Sequence, residues 1–480
     1  MSDDILTGAT VAPRLIAVDA LDPQRLAPII GPERMARFDT IAAAARERID
    51  GRSVLNVNST AAGGGVAEML QTTLSYARGA GVDARWMVIE GDAEFFAITK
   101  RVHNRLYGSP GDGGPLGTGE RAHYEAVMRT NGARMHSMLR PNDAVVLHDP
   151  QTAGLAPFVR AAGAHVVWRC HIGRDEQNEC SEVGWEFLRP YLTDADAYVF
   201  SRRAFAPPWL DGDRLHIIPP SIDPFAVKNV ELDPPAVRSV MGYLGVQGLG
   251  DPTPVDFTRR DGSPGRIEHP VDAFLDDPPP ADAPLVVQVS RWDPMKDMAG
   301  VMHGFVEHVP GDAHLLLVGP AVDGVADDAE AGLVLDECRE QWQRLAPRDR
   351  ARVHLACLPM HDVDANALLT NAVQRWATVV TQKSLAEGFG LTVAEAMWKR
   401  RPIVATSVGG IVDQITHGEQ GLLVEDPLDL ASFGASVVRL LDDPGLARRL
   451  GRNAHARAVD ELLGDRHLEQ WATMFASILE

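Results

Sequence analysis

At 480 residues, with 45% hydrophobic and 23% charged side chains, the chain has the composition of a globular protein and a length that points to two domains. A formal net charge of −20 argues against nucleic acid or an anionic membrane as a partner of the general surface. Any phosphate ligand must therefore be held by a local group of cations and helix ends.

Four scattered cysteines, Cys170, Cys180, Cys338 and Cys357, are too few for a disulfide scaffold and lack metal-type pairing. The opening Met-Ser-Asp-Asp is acidic where a signal peptide is basic, and no apolar run reaches bilayer length. The expectation is a cytoplasmic protein with reduced thiols, no metal and no membrane partner.

In chain order, Arg14–Val18 predicts a short strand and Arg34–Arg48 a helix. Ser53–Asn58 then reads as a strand, Ser59–Gly65 as a glycine turn and Val66–Ala77 as an amphipathic helix. That order makes a doubly wound α/β unit, whose ligands gather at the carboxyl ends of the strands. Gly63, Gly64 and Gly65 can approach a phosphate or a pyranose through backbone N–H groups. They form neither a dinucleotide-binding fingerprint nor a Walker loop.

Arg85–Glu90 is the next strand, Glu94–Leu106 the next helix, and Tyr107–Gly119 a Gly- and Pro-rich loop. Ala144–Gln151 is a hydrophobic strand that ends in His148 and Asp149. An imidazole at that end is expected to face the ligand crevice, the alternative being a buried, hydrogen-bonded structural histidine. Val166–His171 repeats the arrangement and is expected to deliver Arg169 and His171 to the same edge, which suits a hydroxyl-rich ligand.

Ala197–Phe200 and Leu215–Ile218 complete a first sheet, and the boundary is placed near Asp223, dividing residues 1–223 from 224–461. Phe225–Pro284, dense in Pro, Asp and Gly, reads as a connection plus an irregular insert. Alternation resumes with strand Leu285–Ser290, directly followed by Arg291 and Lys296, two cations that can neutralise a diphosphate or simply face solvent. His314–Gly319 and Val353–Cys357 are further strands, and Ala431–Leu441, Leu446–Arg457 and Leu462–Leu479 are helices.

The most informative stretch joins a buried strand, Trp376–Thr381, to a helix over Leu391–Arg400. Between them Glu387-Gly388-Phe389-Gly390 lets the backbone come close to a ligand, and the new helix offers its N–H groups from Leu391 and Thr392 to phosphate. Glu387 and Glu395 would weaken phosphate binding if aimed at it, so they are expected to accept from hydroxyls. A nucleotide diphosphate sugar offers hydroxyls at both ends; the plainer reading is a solvated helix start.

Glu387 and Glu395, eight positions apart around Gly-Phe-Gly, resemble the paired-glutamate signature of retaining GT-B glycosyltransferases. NVNSTAAGGGVAEML, RWMVIEGDAEFF, HDPQ, WRCHI, YVFSRR and IIPPSIDP resemble segments of glycosyl-transferring trehalose synthases and trehalose phosphorylases. The resemblance implies an α/β fold of two Rossmann-like doubly wound domains facing a cleft, with helix 462–480 crossing back to the first. It implies a metal-independent enzyme with no cofactor, a UDP-, ADP- or GDP-linked sugar as substrate, and a homodimer as one possible assembly.

By the same resemblance, Arg291 and Lys296 would bind the phosphates, Glu387 the sugar hydroxyls and Glu395 the ribose. Gly64, Gly65, Gly388, Phe389, Gly390, Leu391 and Thr392 would complete the donor site. His148 would meet the sugar near its 6-hydroxyl and act with Arg291, Lys296 and Glu387 in catalysis. Asp149, Gln151, Arg169 and His171 would lie on the acceptor side. Ala386, Thr152, Gly173–Asp175 and Thr406-Ser407 depart from the trehalose-forming pattern, which leaves the acceptor and the donor sugar open more than the fold or reaction class. The alternatives are transfer to another acceptor, phosphorolysis through glucose 1-phosphate, and a catalytically silent sensor, against which the retention of Glu387, Arg291, Lys296 and His148 argues.

Overall fold

Short runs of β-branched and aliphatic residues pair into the sheet of a first unit in the computed structural model, which describes residues 13–479 apart from 62–63, 194, 247–253, 269–270 and 323–328. The chain divides into Met1–Pro220 with Gly464–Glu480, and Ser221–Leu463. Among the described residues no helix is long and apolar enough to cross a membrane.

The first unit holds β1 (Arg14–Ile16), β2 (Ser53–Asn58), β3 (Asp83–Val88), β4 (Ala144–His148), β5 (His165–Cys170), β6 (Ala197–Phe200) and β7 (Leu215–Ile217). Their order is β1-β3-β2-β4-β5-β6-β7, antiparallel between β1 and β3 and parallel elsewhere. Because both faces are covered, the central strands are apolar on both sides, as parallel strands must be. Leu55, Val57, Val145, Leu147 and Trp168 pack on one face with Phe95, Val102, Tyr124 and Trp185. Val54, Val146, Val167 and Val199 pack on the other with Ile49, Trp471 and Phe475.

The helix Gly464–Ile478 thus belongs to this unit, where Asp465 pairs with Arg34 and Glu469 with Arg37 on the helix Pro32–Ile49. The predicted strand Ala144–Gln151 stops at His148. Asp149 adopts φ 61 and opens the short helix Asp149–Thr152, which a left-handed residue at a strand end makes possible.

The second unit holds the hairpin β8 (Val255–Thr258) and β9 (Pro264–Ile267), then β10 (Asp272–Phe274), β11 (Leu285–Val289), β12 (His314–Pro320), β13 (Val353–Leu358), β14 (Val379–Gln382), β15 (Ile403–Thr406) and β16 (Leu422–Val424). Its main sheet runs β10-β13-β12-β11-β14-β15-β16, with only β10 antiparallel. The expected irregular insert Phe225–Pro284 is corrected here. It contains the helix Pro234–Leu244, capped by Asp233, as well as the hairpin and an edge strand. The Pro and Asp content masked Val237, Val240, Met241 and Leu244, which recur at helical spacing and are buried. Trp376 is likewise the last residue of the helix Val363–Trp376, and β14 begins at Val379.

Candidate active site

In the second unit, the loop after β14 is bound to the ends of two neighbouring strands. Gln288 of β11 donates to the Lys296 carbonyl at 2.8 Å and accepts the Lys383 N–H at 2.9 Å. The Leu385 N–H reaches the Met295 carbonyl at 2.8 Å, and Thr406 of β15 donates to the Ser384 carbonyl at 2.6 Å. Gln382 donates to Ser384 Oγ at 3.0 Å while accepting from Thr392 at 2.8 Å, so loop and helix start are tied together.

Two glycines are required by this geometry. Gly390, which caps the helix Leu391–Trp398, has φ 88. Gly409 has φ 52, and a Cβ there would stand 1.7 Å from the Glu387 carbonyl oxygen. The Gly410 N–H completes the contact by donating to the Gly388 carbonyl at 3.2 Å. Phe389 is buried, and its carbonyl accepts from Gln414.

On this frame Lys296 Nζ lies 2.7 Å from Glu387 Oε2, which also accepts from Ser384 Oγ at 3.3 Å. Glu387 is 9% exposed, so its carboxylate is held at the wall of the loop rather than free in solvent. Arg291 is half-exposed and pairs with Asp293 at 3.0 Å. Glu395 is buried in the helix; Oε1 stands 3.6 Å from Lys228 Nζ, and Oε2 has no hydrogen-bond partner among the described residues. Leu391 and Thr392 are half-buried at the helix start.

Sequence reading passed over two cations here. Lys383 is buried and pairs with Asp297, and Lys399 is buried with Nζ 3.0 Å from Asn229 Oδ1 and 2.7 Å from Gln374 Oε1. Burial holds the Lys399 ammonium well below the usual lysine range, and nearby Glu395 works against that shift. The only signal was a lysine placed where its neighbours predict burial.

In the first unit, the ends of β4 and β5 carry a layer of polar side chains on the face covered by the C-terminal helix. His148 is 2% exposed; its Nε2 lies 3.0 Å from Asn56 Oδ1 and its Nδ1 3.0 Å from His171 Nε2. The two imidazoles stack with centroids 5.3 Å apart. Asp149 Oδ1 accepts the His171 N–H at 2.7 Å, and its carbonyl accepts from Trp168 Nε1 at 3.2 Å. Gln151 is half-exposed in the short helix, while Thr152 donates to the His148 carbonyl at 2.7 Å.

Arg169 lies at the carboxyl end of β5, level with His148 on β4, and is buried there. Period two along β5 turns it to the covered face with Val167, where it is 0% exposed. Its Nη2 donates to Ser201 Oγ at 3.2 Å, and Nε and Nη1 have no hydrogen-bond partner among the described residues. Desolvation lowers its pKa to about 10, with Asp149 working against the shift.

Desolvation, helped by the Arg169 charge, lowers His148 to about 3 and holds His171 well below its ordinary value. Desolvation raises Asp149 to about 7, against the His171 N–H and Arg169. At neutral pH both imidazoles are therefore uncharged and can exchange hydrogen bonds with hydroxyls. Asn56, missed at first, was signalled by a polar residue in the middle of a buried strand. Gly64 caps the helix Gly65–Gly79 in an extended conformation with open space at its Cβ position, and Gly63 lies outside the described residues.

Residues 56–207 match the family model described as trehalose synthase, N-terminal domain, and residues 276–457 the model for glycosyl transferases group 1. An α,α-trehalose-phosphate synthase (UDP-forming) from Burkholderia xenovorans, solved with glucose-6-phosphate, superposes with a TM-score of 0.65 at 15% identity, covering 90% of this chain and 100% of that one. Two Rossmann-like parallel sheets with these matches define a glycosyl-transferring enzyme of the GT-B fold.

The trehalose synthase of Pyrococcus horikoshii is 33% identical over 453 residues, 94% of this chain and 95% of that one, and the chain belongs to the trehalose synthase family. A trehalose phosphorylase of Pleurotus pulmonarius is 25% identical over 431 residues, 84% of this chain and 54% of that one. The activity is accordingly trehalose-related glycosyl transfer.

Proposed function

We propose that this enzyme transfers a glucosyl group from a nucleotide diphosphate glucose to glucose, with retention of configuration, giving trehalose. The observation that carries the donor reading is the 2.7 Å Lys296–Glu387 pair on a glycine turn at the start of a helix. Cation, carboxylate and helix N–H groups at one loop match phosphate, sugar hydroxyls and charge developing between them. Glu395, with one buried oxygen lacking a hydrogen-bond partner, suits a ribose hydroxyl.

As the glycosyl–phosphate bond breaks, its electron pair passes to the leaving phosphate, where Lys296, Arg291 and helix N–H groups stabilise the charge. Only stabilisation beyond that of the bound ground state speeds the step. The departing phosphate oxygen takes the acceptor hydroxyl proton as the new bond forms on the same face, so no carboxylate nucleophile is required. His148 is assigned to the donor sugar's 6-hydroxyl, and Asp149, Gln151 and His171 to the acceptor. Both ring nitrogens of His148 are engaged by Asn56 and His171, so contact with sugar requires one of these bonds to be exchanged.

Phosphorolysis through glucose 1-phosphate is the second reading, favoured by the likeness to a trehalose phosphorylase. Incubation with a panel of nucleotide glucoses, with and without glucose, followed by mass spectrometry tests the first. A non-reducing disaccharide formed only with both substrates supports it. Disaccharide formed from glucose 1-phosphate and glucose alone, without nucleotide binding in calorimetry, overturns it in favour of the second.

A further inference from the structure

Lys296 ends the short turn Pro294–Lys296, and Asp297, which follows it, has φ 47 and ψ 48. Aspartate tolerates this left-handed region better than most residues but does not favour it, so neighbouring groups must hold it there. Both of its carboxylate oxygens are engaged. Oδ1 accepts the Gly300 N–H at 3.1 Å, capping the helix Met298–His308, and Oδ2 pairs with Lys383 Nζ. The fit is close, since a Cβ at Gly300 would overlap this carboxylate.

Lys383 reaches the same turn a second time through its backbone. Its N–H is accepted by Gln288 Oε1 at 2.9 Å, and the amide of Gln288 donates to the Lys296 carbonyl at 2.8 Å. Residue 383 therefore holds the Lys296–Asp297 link at two points, the carbonyl of one residue and the side chain of the other. From that link the Lys296 side chain departs toward Glu387 Oε2, 2.7 Å from its Nζ.

Stability alone is a poor account of the buried pair. Taking an ammonium out of water is costly, and well-packed apolar side chains often replace a buried ion pair without loss. Lys383 is buried, and what its charge fixes is the backbone that aims the phosphate cation.

We propose that Lys383 is a positioning residue, which through Asp297 sets the aim of Lys296 at the leaving phosphate. The inference rests on the reading of Lys296 given above and holds for either donor, since a nucleotide diphosphate and inorganic phosphate both leave with charge for Lys296 to meet. A misdirected cation still attracts a bound donor but stabilises the charge developing in the transition state less well.

The test uses the full chain with glucose and whichever donor it turns over, nucleotide glucose or glucose 1-phosphate. Lys383→Met, similar in length and uncharged, is expected to lower kcat about tenfold with the donor KM within about threefold of native. In a Lys296→Ala background the same change should cost less than about threefold in kcat, because the residue through which it acts is gone. Native kcat in folded Lys383→Met, an effect confined to KM, or an equal loss with and without Lys296 each overturns the proposal. Gly300→Ala displaces the Asp297 carboxylate while leaving Lys383 in place. It decides the matter if Lys383→Met does not fold: the same kcat loss supports the proposal, and native kcat overturns it. Full activity in Lys296→Ala overturns the reading of Lys296 and this inference together, whereas native kcat in Lys383→Met beside an impaired Lys296→Ala overturns this inference alone.

Discussion

Lys296 Nζ and Glu387 Oε2 are 2.7 Å apart although 91 positions separate them in the chain. The cation proposed for the diphosphate is thus oriented by the carboxylate proposed for the sugar. A ligand can engage both without breaking this pair, because the ammonium keeps further N–H donors and the carboxylate further lone pairs. Each residue then has a double role, positioning its partner and meeting the donor.

Lys296→Ala and Glu387→Ala are each expected to lower turnover at least about tenfold, the scale of one lost transition-state interaction. Steady-state kinetics with product detection checks this, with folding verified by circular dichroism. Full activity in either folded variant removes that residue from the mechanism.

Gly409→Ala is expected to destabilise the protein by more than about 1 kcal/mol, since alanine must adopt φ 52 and its Cβ meets the Glu387 carbonyl. Nucleotide-sugar affinity should fall with it, because relief of the clash displaces the glutamate. Urea unfolding and calorimetry report the two effects separately; native-like values in both would contradict the tight packing of this turn.

Acid stability follows from the buried histidines. His148 and His354, both lowered to about 3 chiefly by desolvation, stay neutral in the folded chain while the unfolded chain takes up protons below about pH 6.5. The unfolded state then binds more protons, so stability falls as pH drops from 6.5 toward 3, by about 1.4 kcal/mol per pH unit for each imidazole.

Asp149, raised to about 7, acts in the opposite sense: between its ordinary 3.8 and 7 the folded state holds the extra proton, and stability falls as pH rises. Asp149→Asn preserves a residue that tolerates φ 61 and removes this opposition. It should steepen the loss between pH 7 and 5 in urea titrations; an unchanged or shallower slope would refute the assignment.

Arg169→Met tests whether the guanidinium meets the acceptor or positions the histidines beside it. From its burial, the acceptor KM is expected to change less than about threefold, while NMR titration shows the His148 and His171 rings protonating at higher pH once the nearby charge is gone. A large KM effect with unmoved histidines would reverse that reading.

The strand–turn–helix order was legible because hydrophobic period and glycine position are local properties. β2 and β6 were bounded correctly, and the glycine turn before Leu391 was found, each from a few residues. The insert before β11 was misread because Pro and Asp counts weighed more than the helical spacing of four apolar residues. The strand-end position of Arg169 is a local property, whereas the burial of its side chain depends on what covers that face of the sheet.

By itself, then, the sequence determined the alternating α/β units, the family resemblance and the residue types at the loop, since these depend on neighbours along the chain. Only the tertiary structure decided that Lys296 meets Glu387, that Lys383 meets Asp297 and that the C-terminal helix closes the face holding His148 and Arg169. Those outcomes depend on strand order and on which face of each strand is covered. Neither is encoded in any single stretch, because partners tens to hundreds of residues apart are selected together by burial and by the need to satisfy buried polar groups.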